Sequence, residues 1–288
     1  MEHINSEESW NKFIKSVETN FDELETNSER IKRQLKNRFT EIIEDIDDFG
    51  ILFSGGLDSS LLALLSKQLN KKFTCYVVGT ENSEDVDYAK RVASSLNLKL
   101  KIKILADKEI IENLKNVMEI IKDNDYTKVS VGLVVYSAVK FAKENNEKIL
   151  LTGLGSEEIF AGYQRHLKNS FKEIHEECLR GLKQDIWKKD ITRDKLIADH
   201  FKIKLISPFL DKEIIKIAMK LHPMFKINKE TKKIILRELA EDSGLEKEFA
   251  FRNRRAGQYG SGFDKVIERL TKESNLKFKK DYINSLRV

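Results

Sequence analysis

The chain has 288 residues, 40% hydrophobic and 34% charged, which is enough apolar side chain for a large core under a densely charged surface. Its 52 basic residues against 47 acidic ones leave a formal charge of +5, a balance that permits an RNA partner without demanding one. No apolar run approaches the roughly 20 residues that span a bilayer, and the first residues carry no leader pattern, so a cytoplasmic protein with no membrane partner is expected.

Residues 6–24 place Trp10, Phe13, Ile14, Val17, Phe21 and Leu24 at three- and four-residue steps, which predicts one amphipathic helix starting near Asn5 and Glu8. A second helix follows, with Ile31, Leu35, Phe39, Ile42 and Ile46 on one face. Residues 1–48 therefore read as a helical segment packing on a core domain formed by residues 49–288. Phe49 to Phe53 is the first strand and Phe73 to Gly79 the second, with an apolar helix between them and another helix over 83–97. Leu98 to Leu105 alternates apolar residues with Lys99, Lys101 and Lys103, which predicts a sheet-edge strand with the lysines on its wet face. Helices are expected over 107–122 and 131–145, and a further strand from Lys148 to Gly153.

Strands and helices alternating at this size make the fold class α/β, a doubly wound parallel sheet with a helical C-terminal part. Beyond residue 156 the patterns are mainly helical, with a break at Leu205–Asp211, helices over 212–221 and 232–242, and a basic, glycine-rich loop at 251–262. Cys75 falls in a strand and Cys178 on a helix without zinc or iron–sulfur spacing, so both read as buried free thiols. Ligands in such sheets bind at strand carboxyl ends, where Gly55, Gly79 and Gly153 all fall.

The most informative stretch is Ile51-Leu52-Phe53-Ser54-Gly55-Gly56-Leu57-Asp58-Ser59-Ser60. A strand that turns on two glycines into a helix start aims backbone N–H groups and a helix dipole at one spot, which favours an anion. Ser54, Ser59 and Ser60 add hydroxyls; Asp58 would repel a bare phosphate and is better suited to holding a Mg²⁺ that accompanies one. A second turn, Gly153-Leu154-Gly155-Ser156-Glu157-Glu158, opens at another strand end and presents two acids at a helix start, from where a carboxylate can face Asp58.

The first stretch resembles the PP-loop of ATP pyrophosphatases. It is not a Walker loop, because no Gly-Lys-Ser/Thr follows. Taken with the second turn, residues 28–270 resemble the synthetase domain of the asparagine synthetase family, with further matches at Val78-Gly79, Arg193-Asp194, Pro208-Phe209-Leu210-Asp211 and Lys233-Ile234-Ile235-Leu236-Arg237. The resemblance implies an adenine nucleotide alpha hydrolase-like fold and an ATP-dependent ligase. Such an enzyme adenylates a carboxylate or related oxygen, releases pyrophosphate and forms an amide.

The resemblance implies that Ser54, Gly55, Gly56, Asp58 and Ser59 hold the pyrophosphate end of ATP. By the same resemblance, Phe53, Val78, Thr152 and Gly153 line adenosine, and Asp58 and Glu157 bind Mg²⁺. Lys233 and Arg254 would stabilise phosphate charge, making Arg254, Lys233 and Glu157 the catalytic candidates. The chain departs from the family on the acceptor side. Leu154 stands where the family has an acid, Ile206 where it has an arginine, and Arg254 where it has a lysine. The run Thr127-Lys128-Val129-Ser130-Val131-Gly132-Leu133-Val134 also replaces most of the family's polar substrate run.

A small-molecule acceptor is implied, with aspartate placed in doubt by these changes. Residues 1–48 hold no cysteine, so ammonia is expected free or from a separate glutaminase. The residues leave two alternatives: an RNA-modifying PP-loop enzyme, which the basic segment 252–255 keeps open, and a nucleotide-binding sensor or partner subunit without turnover.

Overall fold

The computed structural model describes residues 6–252 and 256–286, so Arg254 lies outside the described residues. The first helix, α1 (Glu7–Ser16), begins at Ser6, whose side chain accepts the Ser9 N–H while the Ser9 side chain answers the Ser6 N–H. The single helix expected over 6–24 is not formed. The chain leaves α1 at Val17 and makes a short 3₁₀ turn at Phe21–Glu23. The Glu25 N–H donates to the Lys220 carbonyl and the His222 N–H to the Glu25 carbonyl, bonds that need extended backbone here. The second helix, α2 (Ser28–Glu44), is capped by Asn27 and buries Ile31, Leu35, Phe39 and Ile43.

Five parallel strands follow: β1 (Asp48–Leu52), β2 (Lys72–Gly79), β3 (Leu100–Ile104), β4 (Ile149–Leu151) and β5 (Lys204–Ile206). Their spatial order is β3-β2-β1-β4-β5. The chain thus winds outward from β1 through β2 to β3, then crosses to the other side of β1 for β4. That reversal opens a crevice at the carboxyl ends of β1 and β4, the doubly wound arrangement expected from the alternation. The intervening helices are α3 (Leu57–Gln68), α4 (Glu84–Ser95), α5 (Asp107–Ile121), α6 (Tyr126–Glu144), the one-turn α7 (Ser156–Ile159), α8 (Phe171–Arg180) and α9 (Thr192–His200). After β5 come α10 (Lys212–Lys220), α11 (Ile234–Asp242), α12 (Lys247–Ala250), α13 (Gly257–Gly260), α14 (Phe263–Glu273) and α15 (Lys279–Ser285). One core joins α1, α2, α3, α4, α10 and α11 on one face of the sheet; the other joins α5, α6, α9, α14 and α15. Among the described residues no helix is long and apolar enough to cross a membrane.

Two further expectations are corrected. The break at Leu205–Asp211 contains a whole 3₁₀ turn, Pro208–Leu210, but also the end of β5, whose three residues pair with β4 and are too short to show a period. The strand β3 does lie at the sheet edge, with Lys99 exposed and Leu98 and Leu100 packed against the core as expected, but over residues 101–104 the faces are the reverse of those expected. Lys101 bonds Asn145, and Lys103 bonds Glu144 at 2.9 Å with its ammonium 5.9 Å from the Phe141 ring. Ile102 and Ile104 are the exposed residues, at 36% and 41%. Acceptors at the end of α6 draw the lysines inward, and their stems cover apolar surface on the way. Cys75 and Cys178 are both buried and free, as the patterns predict.

Burial leaves several basic groups deprived of water. Lys226 is fully buried, its Nζ has no hydrogen-bond partner among the described residues, and burial pushes its pKa below the ordinary lysine value. His166 and His175 are likewise buried, and burial lowers both below the usual 6.5. His175 places Nε2 2.8 Å from the Thr19 carbonyl. A histidine held neutral in this way takes its proton later than in the unfolded chain. Its contribution is complete above pH 6.5 and is lost as pH falls below that value. His175→Gln, which keeps a donor for Thr19, is therefore expected to flatten the acid side of the stability profile. Urea unfolding between pH 6.5 and 5 should show wild type losing up to about 1.4 kcal/mol per pH unit relative to the variant.

Candidate active site

The turn after β1 is shaped by what packs behind it. Gly55 has φ +64°, and a Cβ there would sit 2.7 Å from the backbone of Tyr88 and Ala89 in α4, so only glycine fits both the conformation and the space. Ser54 Oγ accepts the Gly56 N–H at 3.3 Å, and Ser59 Oγ donates to the Gly56 carbonyl at 3.2 Å. These bonds brace the turn locally. The Gly56 cap makes no side-chain bond to the start of α3, which leaves that N-terminus to other acceptors. Asp58 stands in the first turn of α3, and its Oδ1 is buried without a hydrogen bond among the described residues.

The second turn continues β4. The Thr152 N–H donates to the Ile206 carbonyl, and α7 then starts at Ser156 with Glu157 and Glu158 in its only turn. The two acids point apart. Glu158 is buried and accepts from the Tyr163 hydroxyl, and burial pushes its pKa up to about 7. Glu157 faces Lys233, whose Nζ lies 2.7 Å from Glu157 Oε1, 2.8 Å from Asp58 Oδ2 and 2.9 Å from Ser156 Oγ. The two carboxylate oxygens are therefore no more than about 5.5 Å apart. The Lys233 side chain is 7% exposed. Burial works against its charge, but the two carboxylates outweigh burial and hold its pKa above the ordinary lysine range. Gly162 gives this group room, because a Cβ there would lie 1.8 Å from Glu157 Oε2 and 2.4 Å from Lys233 Cε.

Lys233 itself has φ +56°, a strained conformation immediately before α11. Arg237, one turn later, is buried and holds that approach. Its Nε donates to the Lys232 carbonyl at 2.6 Å, and its Nη1 donates to the carbonyls of Ala250 at 2.7 Å and Arg252 at 3.1 Å. Arg252 in turn lies over the Tyr88 ring, 3.3 Å from its centroid, with Glu84 and Asp85 within 3.7 and 3.8 Å. The segment 251–262, expected as a loop, is partly helical. Its α13 docks on the tip of β2 through bonds from the Thr80 N–H to the Ser261 carbonyl and from the Ser83 hydroxyl to the Gly260 carbonyl, both 3.0 Å.

Several of the predicted site residues thus meet, from the ends of β1 and β4 and from the residue before α11. Ser54, Gly55, Gly56, Asp58 and Ser59 form the first turn; Thr152, Gly153 and Glu157 come from the β4 end, and Lys233 bridges them. Phe53 and Val78 lie at the ends of β1 and β2 but are 2% and 4% exposed, so they present little surface to a ligand. Of the departures, Leu154 and Ile206 are half-buried at adjoining strand ends, and the Ser207 hydroxyl donates to the Leu154 carbonyl. Thr127 to Val134 lies in α6, where Arg193 packs its stem against Gly132 and is held by Asp190 and Asp194. Sequence reasoning did not single out Ser156, Gly162 or the contacts of Arg237, Asp85 and Tyr88. Ser156 and Gly162 lay in or beside the acid-bearing turn and Arg237 contacts residues within fifteen positions, whereas Asp85 and Tyr88 meet Arg252 only across a long separation.

Two carboxylates near a helix start fit a hydrated or phosphate-bound Mg²⁺, which takes one or two carboxylates and fills its other positions with water and phosphate oxygens. The unpaired Asp58 Oδ1 is a further oxygen of the right kind. Among the described residues no group of three or more His, Cys, Asp or Glu forms a fuller metal cluster. The space left by Gly162 gives a direct test of this geometry. Gly162→Ala should lower stability in urea unfolding by about 1–3 kcal/mol through overpacking. Gly181→Ala, whose methyl would meet nothing closer than 3.5 Å, should not lower it.

The asparagine synthase family model matches residues 43–180 and 172–274. A protein of Methanocaldococcus jannaschii named "putative asparagine synthetase 1, glutamine-hydrolyzing" is 33% identical over 89% of this chain and 53% of its own length. Glutamine-hydrolyzing asparagine synthetase 1 of Arabidopsis thaliana is 29% identical over 81% of this chain and 43% of its own. The chain spans about half the length of the curated relatives it matches. A solved NMN synthetase from Francisella tularensis is similar over 91% of this chain at 13% identity, with a TM-score of 0.45. With the family model covering most of its length and a relative a third identical across nearly all of it, the chain belongs to the asparagine synthase family.

Proposed function

We propose that the chain is an ATP pyrophosphatase-type ligase that activates a carboxylate as its adenylate and converts it to an amide. One observation carries this reading: Asp58 and Glu157, from two different strand ends, converge on Lys233 beside the Gly55–Gly56 turn. In the first step a carboxylate oxygen attacks the α-phosphorus of ATP. The bond to pyrophosphate breaks and its electron pair leaves with pyrophosphate. In the second step ammonia attacks the acyl carbon, AMP departs with the C–O electron pair, and the nitrogen loses one proton.

Magnesium bound by Asp58 and Glu157 would neutralise the charge that builds on the departing phosphates. Lys233 and the backbone N–H groups of the turn and of the α3 start serve the same charge as fixed donors. Ser54 and Ser59 orient the phosphates, and Thr152 and Gly153 line the adenosine, with Phe53 and Val78 almost wholly buried behind it. Arg254 is assigned to the phosphate charge from the sequence alone. The nitrogen comes as free ammonia or from a glutaminase, a source favoured by the glutamine-hydrolyzing names of the relatives. Leu154 and Ile206 put apolar side chains at the acceptor end, which favours a carboxylate other than aspartate, since charged groups facing them would be left unpaired.

Incubation with Mg-ATP, ammonium and a panel of carboxylates that includes aspartate should yield AMP and pyrophosphate, read by ³¹P NMR. ADP and orthophosphate as products would overturn the α-phosphate chemistry. Asp58→Ala should lower kcat/KM by about 10²–10³ as donors and ion lose their anchor.

A further inference from the structure

Lys233 and a divalent ion have a claim on the same oxygens. The ammonium has three protons, and three oxygens surround it: Asp58 Oδ2, Glu157 Oε1 and Ser156 Oγ, all within 2.9 Å. The arrangement is built rather than incidental. The side chain is almost wholly buried, its backbone holds a left-handed conformation, and Arg237 pins the preceding carbonyl. A cation that bridges Asp58 Oδ2 and Glu157 Oε1 must displace the ammonium, which is costly when buried, and one that binds through Asp58 Oδ1 must sit against its positive charge. No third acidic or imidazole ligand among the described residues joins the pair to help such a cation win. Nucleotide phosphates remove both obstacles at once, because they give the ion more oxygens and give the lysine new acceptors.

We propose that Lys233 is a built-in competitor of the divalent ion, which keeps bare metal out of the Asp58–Glu157 seat and makes metal entry depend on nucleotide entry. The proposal rests on the reading of Asp58 and Glu157 as metal ligands. It adds that the lysine has a second role before any chemistry, namely to offset the repulsion between the two acids and hold them close together. Because coupling between two ligands is reciprocal, nucleotide and ion each tighten the binding of the other through this one side chain.

The test is Mn²⁺ binding to the nucleotide-free protein, followed by electron paramagnetic resonance. Wild type and Lys233→Arg, which keeps the charge, should bind Mn²⁺ weakly. Lys233→Met should bind it about tenfold tighter or more, the scale of ordinary coupling between sites. Adding Asp58→Asn to Lys233→Met should abolish the gain. Ser156→Ala, which loosens the ammonium and leaves both acids, should move affinity the same way by a smaller factor, so the idea stays testable if Lys233→Met does not fold. The proposal is overturned if neither Lys233→Met nor Ser156→Ala binds Mn²⁺ more tightly than wild type, or if the gain survives Asp58→Asn. The underlying metal-seat reading fails separately, if Mn²⁺ together with ATP binds wild type and Asp58→Asn equally well.

Discussion

The structure of the candidate site depends on one buried charge cluster, a lysine held between two carboxylates. Asp58 and Glu157 alone, on separate strand ends and partly withdrawn from water, would repel each other and drift apart. Lys233 reverses that balance, and Ser156 fixes where the ammonium sits. A cluster built on a buried lysine contributes little to net stability, because desolvation of the ammonium offsets much of the Coulomb attraction. It does, however, define a unique geometry. Removing the lysine leaves two facing carboxylates without a counter-charge, so the arrangement disfavours alternatives even where it adds little stability.

That cluster requires the sheet to reverse its winding between β1 and β4. Only then do the Gly55–Gly56 turn and the Ser156 helix start become neighbours, although about a hundred residues separate them. The same reversal leaves a crevice that Lys233 can enter from a third direction. The glycines serve this convergence in two ways. Gly55 lets the turn lie flat against α4, and Gly162 leaves space for Glu157 and the lysine stem. Arg237 then links the lysine's approach to the carbonyls of Ala250 and Arg252, so the C-terminal arm and the phosphate-side elements form one connected frame.

The ends of β4 and β5 are organised differently. Leu154 and Ile206 are apolar residues at the ends of neighbouring strands, and Arg193 is committed to Asp190 and Asp194 behind α6. The charged groups are thus concentrated around the Gly55–Gly56 turn and Lys233. Within a shared fold, residues at strand ends vary with the ligand while the strands beneath them stay in place, because loops carry little of the core packing.

What the sequence by itself determined is local. Strand, glycine turn and helix follow one another within ten residues at Ile51–Ser60, and the spacing alone identified a glycine turn into a helix start with an acid in its first turn. The alternation of strands and helices likewise established a parallel α/β sheet, because few topologies satisfy that order. Tertiary structure decided whatever depended on distant partners. The first helix stops at Val17 because residue 25 bonds residues 220 and 222. β5 exists only through pairing with β4, and the lysines of β3 turn inward because α6 ends with acceptors above them. Which of two adjacent acids faces the lysine, and how closely it does so, was settled by Gly162 and Tyr163 packing around a one-turn helix, at distances no sequence period encodes.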